Sequence, residues 1–207
     1  MGFVKFNSVA LLKNMRLLHI LLLVCIHYIS YAQSIVLEVN YKTDVININN
    51  QFIYYQHSQL LTINNFEKIP EEGTNVIAIT NSGFAFKAAY KKVTDKPAIL
   101  VITVTCSFDK TQSWMKPAGQ NNYTLNHEQR HFDISYISCA LFIKRVRATT
   151  FNQTNYLDSI QSEYKLAIAD MSKLQQQYDA ETNNGINQQQ QMLWNKKIDQ
   201  LLLTTSF

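Results

Sequence analysis

Histidine is scarce in this 207-residue chain, five in all, and two of them, His19 and His27, sit in an apolar N-terminal stretch. That leaves His57, His127 and His131 for any imidazole chemistry. Only five glycines are present, none arranged as a phosphate-cradling loop, and no C-x-x-C pair or internal repeat occurs. Phosphate-loop nucleotide chemistry, cysteine-rich metal knuckles and solenoid architectures are thereby excluded. Charged residues make up 16% of the chain and the formal net charge is +4. Lys5, Lys13 and Arg16 lie before residue 33, and without them sixteen basic residues face fifteen acidic ones. A balance this even gives no electrostatic footprint for nucleic acid.

The N-terminus reads as a targeting segment. Lys13 and Arg16 precede the apolar run from Leu17 to Ile26, which is too short to span a membrane comfortably. Ser30-Tyr31-Ala32 then supplies a small-x-small cleavage site. Residues 1–32 are therefore expected to be a signal peptide, and the mature chain to be secreted or periplasmic with no stable membrane insertion. Cys25 leaves with that segment. Cys106 and Cys139 remain, in a compartment that permits disulfides, and both fall in apolar stretches that favour two buried thiols over a bond.

Residues 33–207 are long enough for one domain, with strands expected over 33–108 and helices over 125–203. Ile35 to Tyr41 alternates as a half-buried strand. Gln51 to Tyr55 and Leu60 to Ile63 are rich in aromatic and β-branched residues. Asn75–Thr80, Asn81-Ser82-Gly83 and Phe84–Tyr90 suggest a hairpin, and Ala98 to Phe108 reads as a central strand buried on both faces. A helix is expected from an Asn126 cap to about Ala148. A second carries the stripe Leu157, Ile160, Tyr164, Ala167, Met171, Leu174 and Tyr178, and a third runs from Gln188 to Leu203. The expected fold is α+β: a small mixed β-sheet packed on a central helix, with further C-terminal helices.

That central helix carries His127-Glu128-Gln129-Arg130-His131, an H-E-x-x-H pattern. At i and i+4 the two imidazoles stand on one helix face and can reach one metal ion. Glu128 lies about 100° further round, where a carboxylate can address a metal's water without becoming a ligand. Zinc binds neutral imidazole, lowers its water's pKa to about 7, and leaves Glu128 to take the proton as that water attacks a carbonyl. The expected cofactor is Zn2+, and the expected substrate a peptide or protein.

A catalytic zinc needs a third protein ligand. His57 follows Tyr54-Tyr55-Gln56 and reads as an ordinary strand-end residue, so a carboxylate is the better candidate. Equal helix rise brings positions 171–182 of the returning helix level with the histidines. Glu163 falls about two turns short, leaving Asp170, Asp179 and Glu181. The spacing Leu174, Tyr178, Glu181 continues the apolar stripe, which selects Glu181 as third ligand. Tyr178, beside it, is a candidate oxyanion donor.

Around these residues the chain resembles the bacterial domain-of-unknown-function family 922, described as secreted zinc-dependent proteases of the zincin superfamily. The resemblance covers most of residues 60–202. It rests on Phe108 with Ser113-Trp114, on Leu125-Asn126-His127-Glu128-Gln129-Arg130-His131-Phe132-Asp133-Ile134, on Tyr178-Asp179-Ala180-Glu181-Thr182, and on Gln191 with Trp194. It implies a zincin-like fold and a metallopeptidase activity. In the family a histidine commonly stands where this chain has Asn184, a departure that implies weaker metal binding or lost activity. A second departure, Ile63-Asn64-Asn65-Phe66, reads as structural.

Overall fold

A computed structural model describes residues 35–205 apart from 46, 47, 93 and 95. The expected signal peptide lies outside these residues. Among the described residues, no helix is long and apolar enough to cross a membrane.

The architecture is α+β. Strand β5 (Ala98–Asp109) is the axis of a four-stranded mixed sheet. On one side, β1 (Ile35–Tyr41) runs parallel to its first half and β2 (Phe52–Tyr54) antiparallel to its end. On the other, β4 (Ser82–Lys91) pairs antiparallel along nearly its whole length. A separate two-stranded ribbon joins β3 (Ala78–Ile79) to β6 (Trp114–Met115). Three helices follow: α1 (Asn122–Ala148), α2 (Tyr156–Thr182) and α3 (Gln188–Thr204).

Side-chain alternation explains how the layers close. Leu100, Ile102, Val104, Cys106 and Phe108 of β5 are fully buried on one face, where they meet Phe132, Cys139, Phe142, Ile143 and Val146 of α1. The intervening β5 residues are only half-buried, so β5 is central in pairing but not covered on both faces as expected. Its Val, Ile and Thr content reflects β-propensity on a half-open face rather than a second layer. On its other side α1 meets α2 and α3 through a second cluster of Ile134, Ile137, Tyr178, Trp194 and Ile198. Clamped between sheet and helices, α1 is buried on most sides over residues 132–143. Cys106 and Cys139 are both free and buried, and burial pushes both thiols up.

Three expectations need correction. The 75–90 hairpin does not form: Gly83 sits inside β4 opposite Ser107, and β3 turns away to pair with β6. The Asn81 backbone is held by the Ser113 hydroxyl and the Asp109 amide, so it continues a path instead of reversing it. Leu60–Ile63 is not a strand but leads into a short 3-10 turn at Ile63–Asn65, closed by the Asn65 side-chain oxygen, which accepts from the Thr62 amide. Helix α1 begins a turn earlier than expected, because Asn121, not Asn126, is its cap and accepts from the Thr124 amide at 2.9 Å. The H-E-x-x-H residues therefore lie inside a formed helix, not at its frayed end.

Candidate metal centre

Helices α1 and α2 pack antiparallel, and this brings Gln175 and Asp179 level with the histidine pair. His127 Nε2 and His131 Nε2 lie 3.2 Å apart. Asp179 Oδ1 stands 3.4 Å from the first and 3.0 Å from the second. The three ligand atoms fall within 4.8 Å of one another, an N, N, O set that suits a metal ion. His127 is buried, while His131 and Asp179 are half-buried, and all three line a cleft of about 940 Å³.

Two expected site residues are not brought into this group. Glu181 is exposed, accepting from Gln177 Nε2 at 2.7 Å and from the Trp194 indole at 2.8 Å. The expectation of Glu181 beside the histidines is thus corrected: the carboxylate that stands with them is Asp179. The apolar stripe steps by four from Tyr178 to Thr182, which is fully buried, and not by three to Glu181. The cleft-facing residues Gln175 and Asp179 form a parallel row, one residue round from the core seam. Asp170 is also excluded, since it pairs with Arg145 at 2.5 Å on the exposed side. Tyr178 is fully buried, and its hydroxyl bonds the His127 carbonyl at 3.3 Å and Gln191. It is turned into the core, away from any oxyanion in the cleft. Its ring instead stacks on His127, with centroids 4.7 Å apart and planes at 22°.

Each imidazole is oriented from behind. His127 Nδ1 meets Gln191 Oε1 at 2.9 Å, and His131 Nδ1 meets Gln175 Oε1. Neither glutamine stood out in the sequence as a positioning group. Gln175 was findable as the residue one turn before Asp179, whereas Gln191 lies on a different helix. Gly185 closes the remaining side of His127. A Cβ there would meet His127 Nδ1 at 3.1 Å, and the backbone φ of +80° is one that side chains resist.

Glu128 is buried, lines the cleft, and its carboxylate has no hydrogen-bond partner among the described residues. Its backbone carbonyl accepts from the Thr80 hydroxyl at 3.3 Å, tying α1 to the strand segment above it. Burial pushes the His131 imidazole down, but the Asp179 and Glu128 carboxylates outweigh it and leave its pKa above the ordinary value. Burial pushes Asp179 up, but the two imidazoles facing it hold its carboxyl well below the usual carboxylate range. Both shifts have one physical meaning: the site favours positive charge at its centre.

The two residues inside the motif are anchors. Gln129 accepts from the Leu61 amide at 2.8 Å and donates to Asp133 at 2.8 Å. Arg130 pairs with Asp133 at 3.0 Å and Asp199 at 2.7 Å. His57 packs edge-on against Tyr55 and Tyr136, far from metal chemistry in character as well as in sequence. Asn184 lies beyond the end of α2 in a left-handed turn (φ 51°) and lines the cleft. Because α2 stops at Thr182, Asn184 does not share a helical face with Glu181. No protein-family model, curated protein or solved structure matches this chain.

Proposed function

We propose that this protein is a secreted, zincin-like zinc metallopeptidase. The observation that carries the reading is the convergence of His127, His131 and Asp179 beside an unpaired, cleft-lining Glu128. The donor set fits zinc: two imidazole nitrogens and one carboxylate leave a fourth, open position toward the cleft. When bound, the ion would supply a Lewis acid and an acidified water. Glu128 then serves as general base, holding the proton taken from the attacking water and passing it to the leaving amine.

The cleft wall suits an extended peptide. Val76, Ile77 and Ile79 are exposed along one rim. Ile77 gives its carbonyl to Lys116, so residues 77 and 79 point their peptide groups at β6 and Ala78, between them, points its own the other way. A substrate strand pairs with that free edge. β5 has partners on both sides and offers no such edge.

A second reading, a catalytically impaired zincin scaffold with a binding or structural role in the envelope, is favoured by the inward Tyr178 hydroxyl and by Asn184 on the cleft wall. Turnover separates the two. Wild-type protein should cleave an unfolded protein substrate and Glu128→Gln should not, while both carry about one zinc per chain. Equal zinc with no cleavage by either would favour the scaffold.

A further inference from the structure

We propose that Arg130, through Asn195 and Gln191, fixes which nitrogen of His127 carries a proton and so aims its other nitrogen at the metal. The inference rests on the metal site above but concerns groups outside it.

The argument follows from which groups can only donate and which can only accept. A guanidinium has five N–H donors and no acceptor. Arg130 Nε lies 3.1 Å from Asn195, so the atom it meets must be the amide oxygen, Oδ1. That oxygen also contacts Gln191 at 2.9 Å, so Gln191 must present its Nε2 there. With Nε2 so placed, Gln191 Oε1 is the atom 2.9 Å from His127 Nδ1. An amide oxygen only accepts, so Nδ1 must carry hydrogen. Gln191 is 1% exposed, and a flipped amide would leave buried polar atoms facing like atoms. Arg130 itself is held in place by Asp133 and Asp199.

His131 is fixed by a shorter version of the same logic. Gln175 Nε2 donates to the His131 backbone carbonyl at 2.9 Å, a group that only accepts, which turns Gln175 Oε1 toward His131 Nδ1. Both Nδ1 atoms are thus committed as donors. Both Nε2 atoms and Asp179 Oδ1 then face one another with electron pairs that a positive centre, a proton or a metal ion, satisfies. Metal-ligating histidines are oriented by such partners, whose loss typically costs 10–100-fold in metal affinity. Here the orienting groups are neutral amides, and the first of the two chains is set by a residue of the motif's variable pair.

The test uses nitrogen NMR of the full mature protein, metal-free, with zinc affinity measured alongside by competition with a chelator. In wild type, His127 Nδ1 should read as protonated wherever the protein is folded. Asn195→Ala leaves Gln191 Nε2 only the Tyr178 hydroxyl, which can accept or donate and so tolerates either amide orientation; a fraction of His127 should then show a bare Nδ1 and zinc affinity should fall about 10-fold or more. Asn195→Asp still accepts from both Arg130 and Gln191, and should restore the wild-type spectrum. A bare Nδ1 in wild type, or an unchanged His127 spectrum in Asn195→Ala, overturns the proposal. The wild-type spectrum decides even where Asn195→Ala does not fold. Wild-type protein with the expected Nδ1–H but no zinc affinity would instead refute the metal site and leave the relay standing.

Discussion

At the residue scale, the site's demands fall on small differences of position. Asp179 and Glu181 are two residues apart, yet one faces the imidazoles and the other holds Trp194. The motif residues His127, Glu128 and His131 were legible in the sequence because their spacing maps directly onto one helix face. The third carboxylate was legible only as a set of three. Its row runs beside the apolar stripe, and hydrophobic periodicity reports where the core is, not where a cleft opens. Gly185 could not be valued from sequence at all, since its importance is the approach of His127. Gly185→Ala should cost about 1–3 kcal/mol, from a left-handed backbone carrying a Cβ and from contact with a buried ring. Chemical denaturation checks the stability, and zinc affinity should fall with it as the imidazole is displaced. An unchanged midpoint would mean that the turn relaxes freely.

At the element scale, the order of strands and helices was readable, while partners and ends were not. β1 was expected over the residues it occupies, because a half-buried strand alternates visibly. Asn81-Ser82-Gly83 has the composition of a hairpin turn, but Asp109 and Ser113, distant in sequence, hold it extended. The start of α1 was placed late because Asn126 has the composition of a cap, but so does Asn121, which follows the break at Pro117–Gly119. The two are separable. Asn121→Ala should destabilise by about 1 kcal/mol through loss of a cap bond, and Asn126→Ala by clearly less on that account. Thermal unfolding of both variants decides which residue starts the helix; a larger loss at Asn126 would contradict the cap assignment.

At the scale of the whole molecule, α1 is the shared wall of two cores, with the cleft-lining residues His127, Glu128 and His131 on its remaining strip. Folding therefore assembles the site, and the site's charge feeds back on stability. In the metal-free protein, His131 has a pKa above its unfolded value of about 6.5. A raised imidazole pKa adds stability that is fully present below the unfolded value and is lost as pH rises through the folded one. Metal-free protein should therefore lose stability on going from pH 6 toward pH 8. Zinc replaces the proton and reverses the trend. It binds better as His131 gives up its proton, and at 100 times its Kd it should stabilise by about 2.7 kcal/mol. Melting curves with and without zinc across this range test both signs. Parallel pH profiles for the two forms would contradict the coupling.

Everything proposed for the cleft rests on His127, His131 and Asp179 holding one metal ion. Its most direct test is zinc titration of the mature protein beside Asp179→Ala and Glu181→Ala, read by calorimetry and elemental analysis. One zinc per chain is expected in wild type and in Glu181→Ala, with binding severely weakened in Asp179→Ala. A wild type that takes up no zinc, or an Asp179→Ala variant that binds as wild type does, would contradict it.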